Sequence, residues 1–154
     1  MLAAALTALS LTLPQHGVVV PGKSFAGLPL GATAARVRAA WGPRHGRCRD
    51  CARTTWYFTY KKFAPQGAGV SFRDGAAEAF FTIWSPHGWH TNRGLAVGDP
   101  EAKITQLYGV LPRAECGTYS SLVLRRRGTD TQFYVYKQKV WGFGLSRAGA
   151  PPCR

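Results

Sequence analysis

Acidic residues are scarce in this chain. Its 154 residues include seven Asp and Glu against twenty Lys and Arg, which gives a formal net charge of +13. Asp50, Asp74, Asp99 and Asp130 stand in sequence contexts that are typical of turns or helix caps. The sequence thus offers neither paired carboxylates nor a nucleophile beside a base, and we predict a protein that is not an enzyme.

Long apolar runs are also lacking. Apart from residues 2–13, an Ala- and Leu-rich run that ends at Pro14, no apolar stretch approaches the roughly 20 residues that span a bilayer. This run has the length of a signal-peptide hydrophobic region. We predict that residues 1–23 comprise a signal peptide and the N-terminal tail of a mature chain that begins between Gln15 and Ser24. The predicted location is secreted or the cell-envelope exterior, without a transmembrane segment in the mature chain.

Cysteines are few but even in number. The chain has four of them, and in an exported protein an even count favours disulfides. We predict the pairs Cys48–Cys51 and Cys116–Cys153, because each would fix a loop or a terminus within its own half of the chain. The alternative joins Cys116 to Cys48 or Cys51 and links the two halves.

A metal site is the main rival to these disulfides. His45, Cys48 and Cys51 are spaced like zinc ligands, and His87 and His90 form a second such pair. In an oxidising compartment a disulfide would consume both thiolates, so we predict neither a metal nor another cofactor.

The most informative feature present is an internal repeat, in which residues 27–42 return without a gap as residues 94–109. Both copies open with Gly-Leu-x-x-Gly and continue with apolar residues at helical spacing. Thr33 is the predicted N-cap of the first helix, and Asp99, followed by Pro100, that of the second. The identical pairs are Gly27/Gly94, Leu28/Leu95, Gly31/Gly98, Ala35/Ala102 and Gly42/Gly109.

Each predicted helix precedes three stretches that are rich in aromatic and β-branched residues. These predicted strands are residues 55–61, 69–73, 78–84, 120–126, 131–138 and 140–146, with a hairpin turn at Asp74-Gly75. The predicted fold class is α+β, with two tandem repeats of a helix plus a three-stranded antiparallel meander. We predict that the repeats, residues 24–86 and 87–154, form one sheet with both helices packed on one face and the other face open.

The duplicated Gly-Leu-x-x-Gly opening, short helix, closing aromatic-Gly and meander resemble the tandem repeats of beta-lactamase inhibitor protein. They are also similar to the single unit of the BamE/SmpA outer-membrane assembly lipoproteins. The resemblance implies a non-catalytic fold that binds proteins through its sheet face and loops. No inhibitor contact residue aligns with this sequence, so inhibition of beta-lactamase is not implied.

Strand alternation predicts which side chains occupy the open sheet face. Aromatic and basic residues of this kind anchor protein interfaces. We therefore predict a secreted module that binds a protein partner, and no nucleic acid, through Tyr57, Lys61, Arg73, Phe80, Trp84, Tyr134 and Tyr136.

Two alternatives remain open at this point. The chain could be a basic envelope-associated protein that holds acidic polymer or anionic lipid, with Arg125, Arg126 and Arg127 as an anionic contact or as a charged strand edge. The aromatic residues could instead complete the core, or pack on a loop or on a second copy of the chain.

Overall fold

The computed structural model of the chain describes residues 12–59, 67–84 and 86–154. These residues contain two α-helices, α1 (Ala34–Trp41) and α2 (Ala102–Tyr108). They also contain twelve β-strands: β1 (Val18–Val20), β2 (Ser24–Phe25), β3 (Leu28–Pro29), β4 (Gly46–Arg47), β5 (Thr54–Thr59), β6 (Gly67–Arg73), β7 (Ala76–Ile83), β8 (His90–Thr91), β9 (Arg113–Glu115), β10 (Ser120–Arg126), β11 (Thr129–Tyr136) and β12 (Lys139–Arg147).

The strands form two sheets, and the predicted fold class is therefore wrong. One sheet has four strands in the order β3-β2-β1-β8, and the other has eight in the order β4-β5-β6-β7-β12-β11-β10-β9. The chain is mostly β, not two helix-plus-meander repeats on a single sheet. The smaller sheet was missed because its strands are only two or three residues long. Such strands are too short to show an alternating pattern.

The eight-stranded sheet is antiparallel and crosses the boundary between the repeats. Strands β5 to β7 form one meander and β10 to β12 another, and β7 pairs with β12 through Phe81↔Gly144, Phe80↔Leu145 and Ala79↔Ser146. The predicted turn at Asp74-Gly75 is confirmed, with φ of 50° and 77°. Positive φ at both central residues is characteristic of the type I′ turn, one of the two common two-residue hairpin turns.

The four-stranded sheet also joins the two halves. Strand β1 runs parallel to β8, with Val18 opposite His90 and Val19 opposite Thr91. The Val19 side chain is fully buried, and Leu13 belongs to the same core. The Trp89 indole N–H donates to the Pro14 carbonyl at 3.0 Å. The first described residues are therefore an integral part of the packing.

Both helices lie at the predicted places, but they begin differently. Thr33 caps α1 as predicted, because its hydroxyl accepts the Arg36 N–H at 3.2 Å. The predicted cap of α2 is wrong: Glu101 is its N-cap, without a side-chain hydrogen bond. The Asp99 carboxylate instead accepts the backbone N–H of Ala96 and the Lys103 ammonium, each at 2.8 Å.

Large aromatic side chains fill the core between the helices, the small sheet and one face of the large sheet. Phe25 stacks on Phe80 with ring centroids 5.9 Å apart, and Trp41 meets Phe80 edge-on at 5.5 Å. Phe80 is thus fully buried and lies on the face opposite to the one predicted for it. Among the described helices, neither is long and apolar enough to cross a membrane.

Candidate functional site

An aromatic groove lies on the face of the large sheet that points away from this core. Its volume is about 580 Å³. We define the aromatic groove by its main lining residues, which come from four strands, the residue after β7, the loop after β9 and the end of the sequence: Tyr57, Phe81, Trp84, Tyr119, Tyr134, Tyr136, Trp141 and Arg154.

Glycines in the strand interiors create the space for these rings. Tyr57, Gly69, Phe81 and Gly144 lie opposite one another across β5, β6, β7 and β12. A Cβ atom at Gly69 would lie 2.4 Å from the Phe81 ring, and one at Gly144 would lie 2.5 Å from the Tyr134 hydroxyl. The aromatic side chains therefore lie over bare backbone, which is a recognised way of covering glycine in a sheet.

Tyr134 provides an unused polar group in the groove. Its side chain is 2% exposed, and its hydroxyl lies near the Arg154 guanidinium but donates no hydrogen bond within the described residues. Burial raises the pKa of this hydroxyl above its ordinary value, although the nearby Arg154 charge acts in the opposite direction. The group therefore stays protonated and can donate a hydrogen bond to a ligand.

Gln132 presents a second unused atom beside the same glycine. Its Oε1 has no partner among the described residues and would lie 2.6 Å from a Cβ at Gly144. Its Nε2 donates to the Ser146 hydroxyl at 2.9 Å, which fixes the direction of the amide. An unpaired donor and an unpaired acceptor thus flank Gly144, and buried polar atoms of this kind cost free energy until they gain a partner.

Two exposed aromatic side chains form the rim of the groove. Trp84 is 57% exposed and Tyr136 is 41% exposed. The backbone φ of Trp84 is 60°, in the left-handed region that bulky residues rarely adopt. Exposed rings beside an apolar groove are typical of a surface that meets a partner.

The last residues of the sequence reach the groove along the sheet. Cys153 forms a disulfide with Cys116. The Arg154 N–H donates to the Tyr119 hydroxyl, and that hydroxyl donates to the Arg154 carbonyl, both at 2.7 Å. The Arg154 guanidinium lies 5.6 Å from the Phe81 ring centroid, within the range of a cation–π contact.

The face predicted to be open is consequently covered in part. Residues 148–151 line a neighbouring cleft together with Ser71 and Ala79. Ala79 and Ser146, which face this side, are 3% and 0% exposed. The strand pattern could not reveal the cover, because the covering segment has no regular structure and is held by the second disulfide.

The structure brings together four of the seven predicted binding residues: Tyr57, Trp84, Tyr134 and Tyr136. Arg73 lies outside the groove, where its guanidinium is 3.8 Å from the Glu78 carboxylate. Phe80 is in the core. Lys61 lies outside the described residues, so its place is not assigned.

The prediction missed Phe81, Tyr119, Trp141 and Arg154. Trp141 was missed because the register shifts between Tyr134 and Val135, where a bulge interrupts the alternation of β12. The sequence does contain a signal for this surface. A glycine in the interior of a strand, such as Gly69, often marks a place where a neighbouring side chain lies close to the backbone.

The cysteines pair as predicted, Cys48 with Cys51 and Cys116 with Cys153. The zinc alternative needed free thiolates at Cys48 and Cys51, and both are in a disulfide. The described residues contain no group of three or more His, Cys, Asp or Glu side chains arranged to hold a metal ion.

No family model matches the chain, and no curated protein matches its sequence. Several solved structures share its fold. A DUF4309 family protein (YjgB) from Bacillus subtilis has a TM-score of 0.58 and 17% identity, and the match covers 80% of this chain and 84% of that one.

Two larger proteins contain a similar unit. An extracellular protein with a SCP domain from Bacillus anthracis has a TM-score of 0.57 and 9% identity, over 77% of this chain and 44% of that one. A cysteine-rich secretory protein (SAV1118) from Staphylococcus aureus has a TM-score of 0.56 and 12% identity, over 90% of this chain and 51% of that one. The chain thus spans about half the length of these two proteins. The likenesses show a shared fold and do not support the resemblance to beta-lactamase inhibitor protein or BamE/SmpA, which stays a prediction.

Proposed function

We propose that this protein is an exported, non-catalytic module that binds a segment of a partner protein in the aromatic groove. The observation that carries the proposal is the combination of two exposed rings, Trp84 and Tyr136, with an aromatic groove in which the Tyr134 hydroxyl donates to no described residue. Aromatic side chains in the desolvated centre of a protein interface often contribute most of the binding free energy.

Export is supported by two independent observations. The chain has two disulfides, which persist in oxidising compartments. Two proteins of similar fold are described as extracellular and as secretory. The protein would act either in the medium or on the outside of the cell envelope.

The chemistry of the groove indicates what the bound segment carries. The described residues that line it include Arg154 and no Asp or Glu side chain. The whole chain has a formal net charge of +13, which attracts acidic partners. A segment with an aromatic side chain next to Asp or Glu would fill the groove, accept the Tyr134 O–H and meet the Arg154 guanidinium.

A phage-displayed random peptide library tests this proposal. Peptides selected on the wild-type protein should be enriched in aromatic and acidic residues. Their Kd, measured by calorimetry, should rise about tenfold or more for Trp84→Ala/Tyr136→Ala, because each ring removed is a candidate interface anchor.

Val110→Ala is the matched control, since Val110 is 91% exposed and does not line the groove. It should leave the Kd unchanged. Peptides that bind the double variant as tightly as the wild-type protein, while both variants keep the wild-type circular dichroism spectrum, would contradict the assignment of the groove as the binding site.

A further inference from the structure

A second cleft lies where three stretches of chain meet: the turn between β1 and β2, the turn after β8 and the hairpin between β10 and β11. Its volume is about 710 Å³, and it shares no lining residue with the aromatic groove. We call it the basic cleft and define it by Lys23, Asn92, Arg93, Arg126, Arg127 and Thr129. We propose that the basic cleft binds a phosphate group, presented by a soluble polymer or by a lipid headgroup.

The positive charges of this cleft are not neutralised within the described part of the chain. Its described lining contains no Asp or Glu. The ion pairs formed by the described residues use other cations: Arg53, Arg73, Lys103 and Arg113. Like charges held close together repel one another, so an anion that binds among them relieves this repulsion.

The carboxylate of Asp130, which lies beside the cleft, already accepts a hydrogen bond from another residue. Asp130 lies opposite Arg125 in the β10–β11 ladder, and Arg125 also borders the cleft. The Asp130 carboxylate accepts the Gly149 N–H at 3.2 Å, and no ion pair joins it to Arg125 within the described residues.

Arg93 is held in place before any ligand binds. Its guanidinium lies 5.2 Å from the centroid of the Tyr108 ring. That ring stacks on Phe133 at 4.7 Å, and its hydroxyl donates to Thr91 at 2.8 Å. A guanidinium positioned over a half-buried ring loses less side-chain entropy when it binds an anion than a free one does.

The opposite wall of the cleft is fixed by Gly22. Its N–H donates to the Thr131 hydroxyl at 3.0 Å, and its φ of 75° is one that glycine adopts without strain. A Cβ atom here would lie 2.9 Å from Cδ of Arg126, so the stem of Arg126 packs directly against the glycine. Arg126 thereby lines the cleft beside Gly22.

Thr129 adds a polar group that lacks a partner. Its Oγ1 is buried and makes no hydrogen bond among the described residues. A hydroxyl can donate to a phosphate oxygen while the arginines form paired N–H···O contacts. A tetrahedral anion with several oxygens can use such donors from several sides, whereas a carboxylate presents only two oxygens in one plane.

Calorimetric titration with three probes tests the proposal: inorganic polyphosphate, vesicles of phosphatidylglycerol and polyglutamate. The cleft variant is Arg93→Gln/Arg126→Gln/Arg127→Gln. The control is Arg36→Gln/Arg44→Gln/Arg49→Gln, which removes three exposed arginines outside the cleft and so lowers the net charge equally.

The cleft variant should bind the phosphate-bearing probes about tenfold more weakly or worse, and the control variant within about twofold of wild type. Polyphosphate binding would assign a soluble polymer as the source of phosphate, and vesicle binding alone a lipid headgroup. The site would be overturned by equal losses in both variants, which indicate diffuse charge, by equal affinity for polyglutamate, or by no binding of either phosphate probe. Unchanged melting temperatures would confirm that all variants are folded.

Discussion

Asp99 shows how a single residue stabilises one repeat in a way the other lacks. Its carboxylate binds the Ala96 N–H and the Lys103 ammonium, and so closes the turn that precedes α2. The equivalent position of the first repeat is Ala32, which cannot make these bonds. Because α2 has no side-chain N-cap, this turn is one of the local constraints on where the helix begins.

We expect Asp99→Asn to destabilise the protein near neutral pH but not in acid. Burial opposes ionisation of Asp99, but the hydrogen bonds from Lys103 and Ala96 outweigh it and lower the pKa of the carboxyl. A folded-state pKa below the unfolded value of about 3.9 adds stability that is present above that value and is lost as the pH falls through the folded value. Melting temperatures of wild type and variant should therefore differ at neutral pH and draw together as the pH falls below about 3.9.

Asp50→Asn is the control, because Asp50 is exposed and forms no ion pair among the described residues. Asp50→Asn should leave the dependence of the melting temperature on pH unchanged. A gap between Asp99→Asn and wild type that stays constant down to acid pH would show that the ionised carboxylate is not the stabilising group.

At the level of elements, strong local patterns were predictive and weak ones were not. The Asp74-Gly75 turn and the two Gly-terminated helices follow from local residue chemistry and lie where predicted. Strand β1 did not show in the sequence, because three valines in a row have no alternation and pair with His90 and Thr91 far along the chain. Part of the aromatic groove was predictable. Strand alternation places Tyr57 and Tyr134 on the correct sheet face, but the bulge in β12 puts Trp141 on a face that alternation alone does not predict.

The two disulfides should differ in what they contribute. Cys48–Cys51 closes a separation of 3 residues and Cys116–Cys153 one of 37. From loop-closure entropy, the short loop is worth about 1.5 kcal/mol and the long one at most about 4 kcal/mol. We expect Cys116→Ser/Cys153→Ser to lower the free energy of unfolding in urea by more than Cys48→Ser/Cys51→Ser does.

Each of the two variants replaces two cysteines with serines, so the variants differ only in which disulfide is lost. Loss of the longer bond should also release residues 148–154 from the sheet and increase hydrogen exchange there. An equal or larger cost for the short bond would contradict the entropic argument, and unchanged exchange in residues 148–154 would show that the hydrogen bonds of Tyr119 hold the segment alone.

For the molecule as a whole, strand pairing and a hydrogen bond link the two repeats. The large sheet joins them through β7 and β12, and the small sheet joins them through β1 and β8. A hydrogen bond from Gly22 to Thr131 adds a third link. Cutting the chain between the repeats would expose the edges of β1, β7, β8 and β12 together, with the backbone groups that now pair across both sheets.

We therefore expect a single unfolding transition for the intact chain. Tryptophan fluorescence and far-ultraviolet circular dichroism should give coincident urea curves, because both sheets lose their pairing together. A fragment of residues 12–86 should show no cooperative transition, since it lacks the partners of β1 and β7. A fragment that unfolds cooperatively on its own would contradict this expectation and would mean that the first repeat is a domain.

The parallel pairing of β1 with β8 also imposes an order in time. Chains are made with the amino end first, so Val18–Val20 emerges long before His90 and Thr91. Until then β1 has only the β2 hairpin, too small to persist in water. The four-stranded sheet therefore cannot be completed until His90 and Thr91 have emerged, and the pairing of β7 with β12 comes later still.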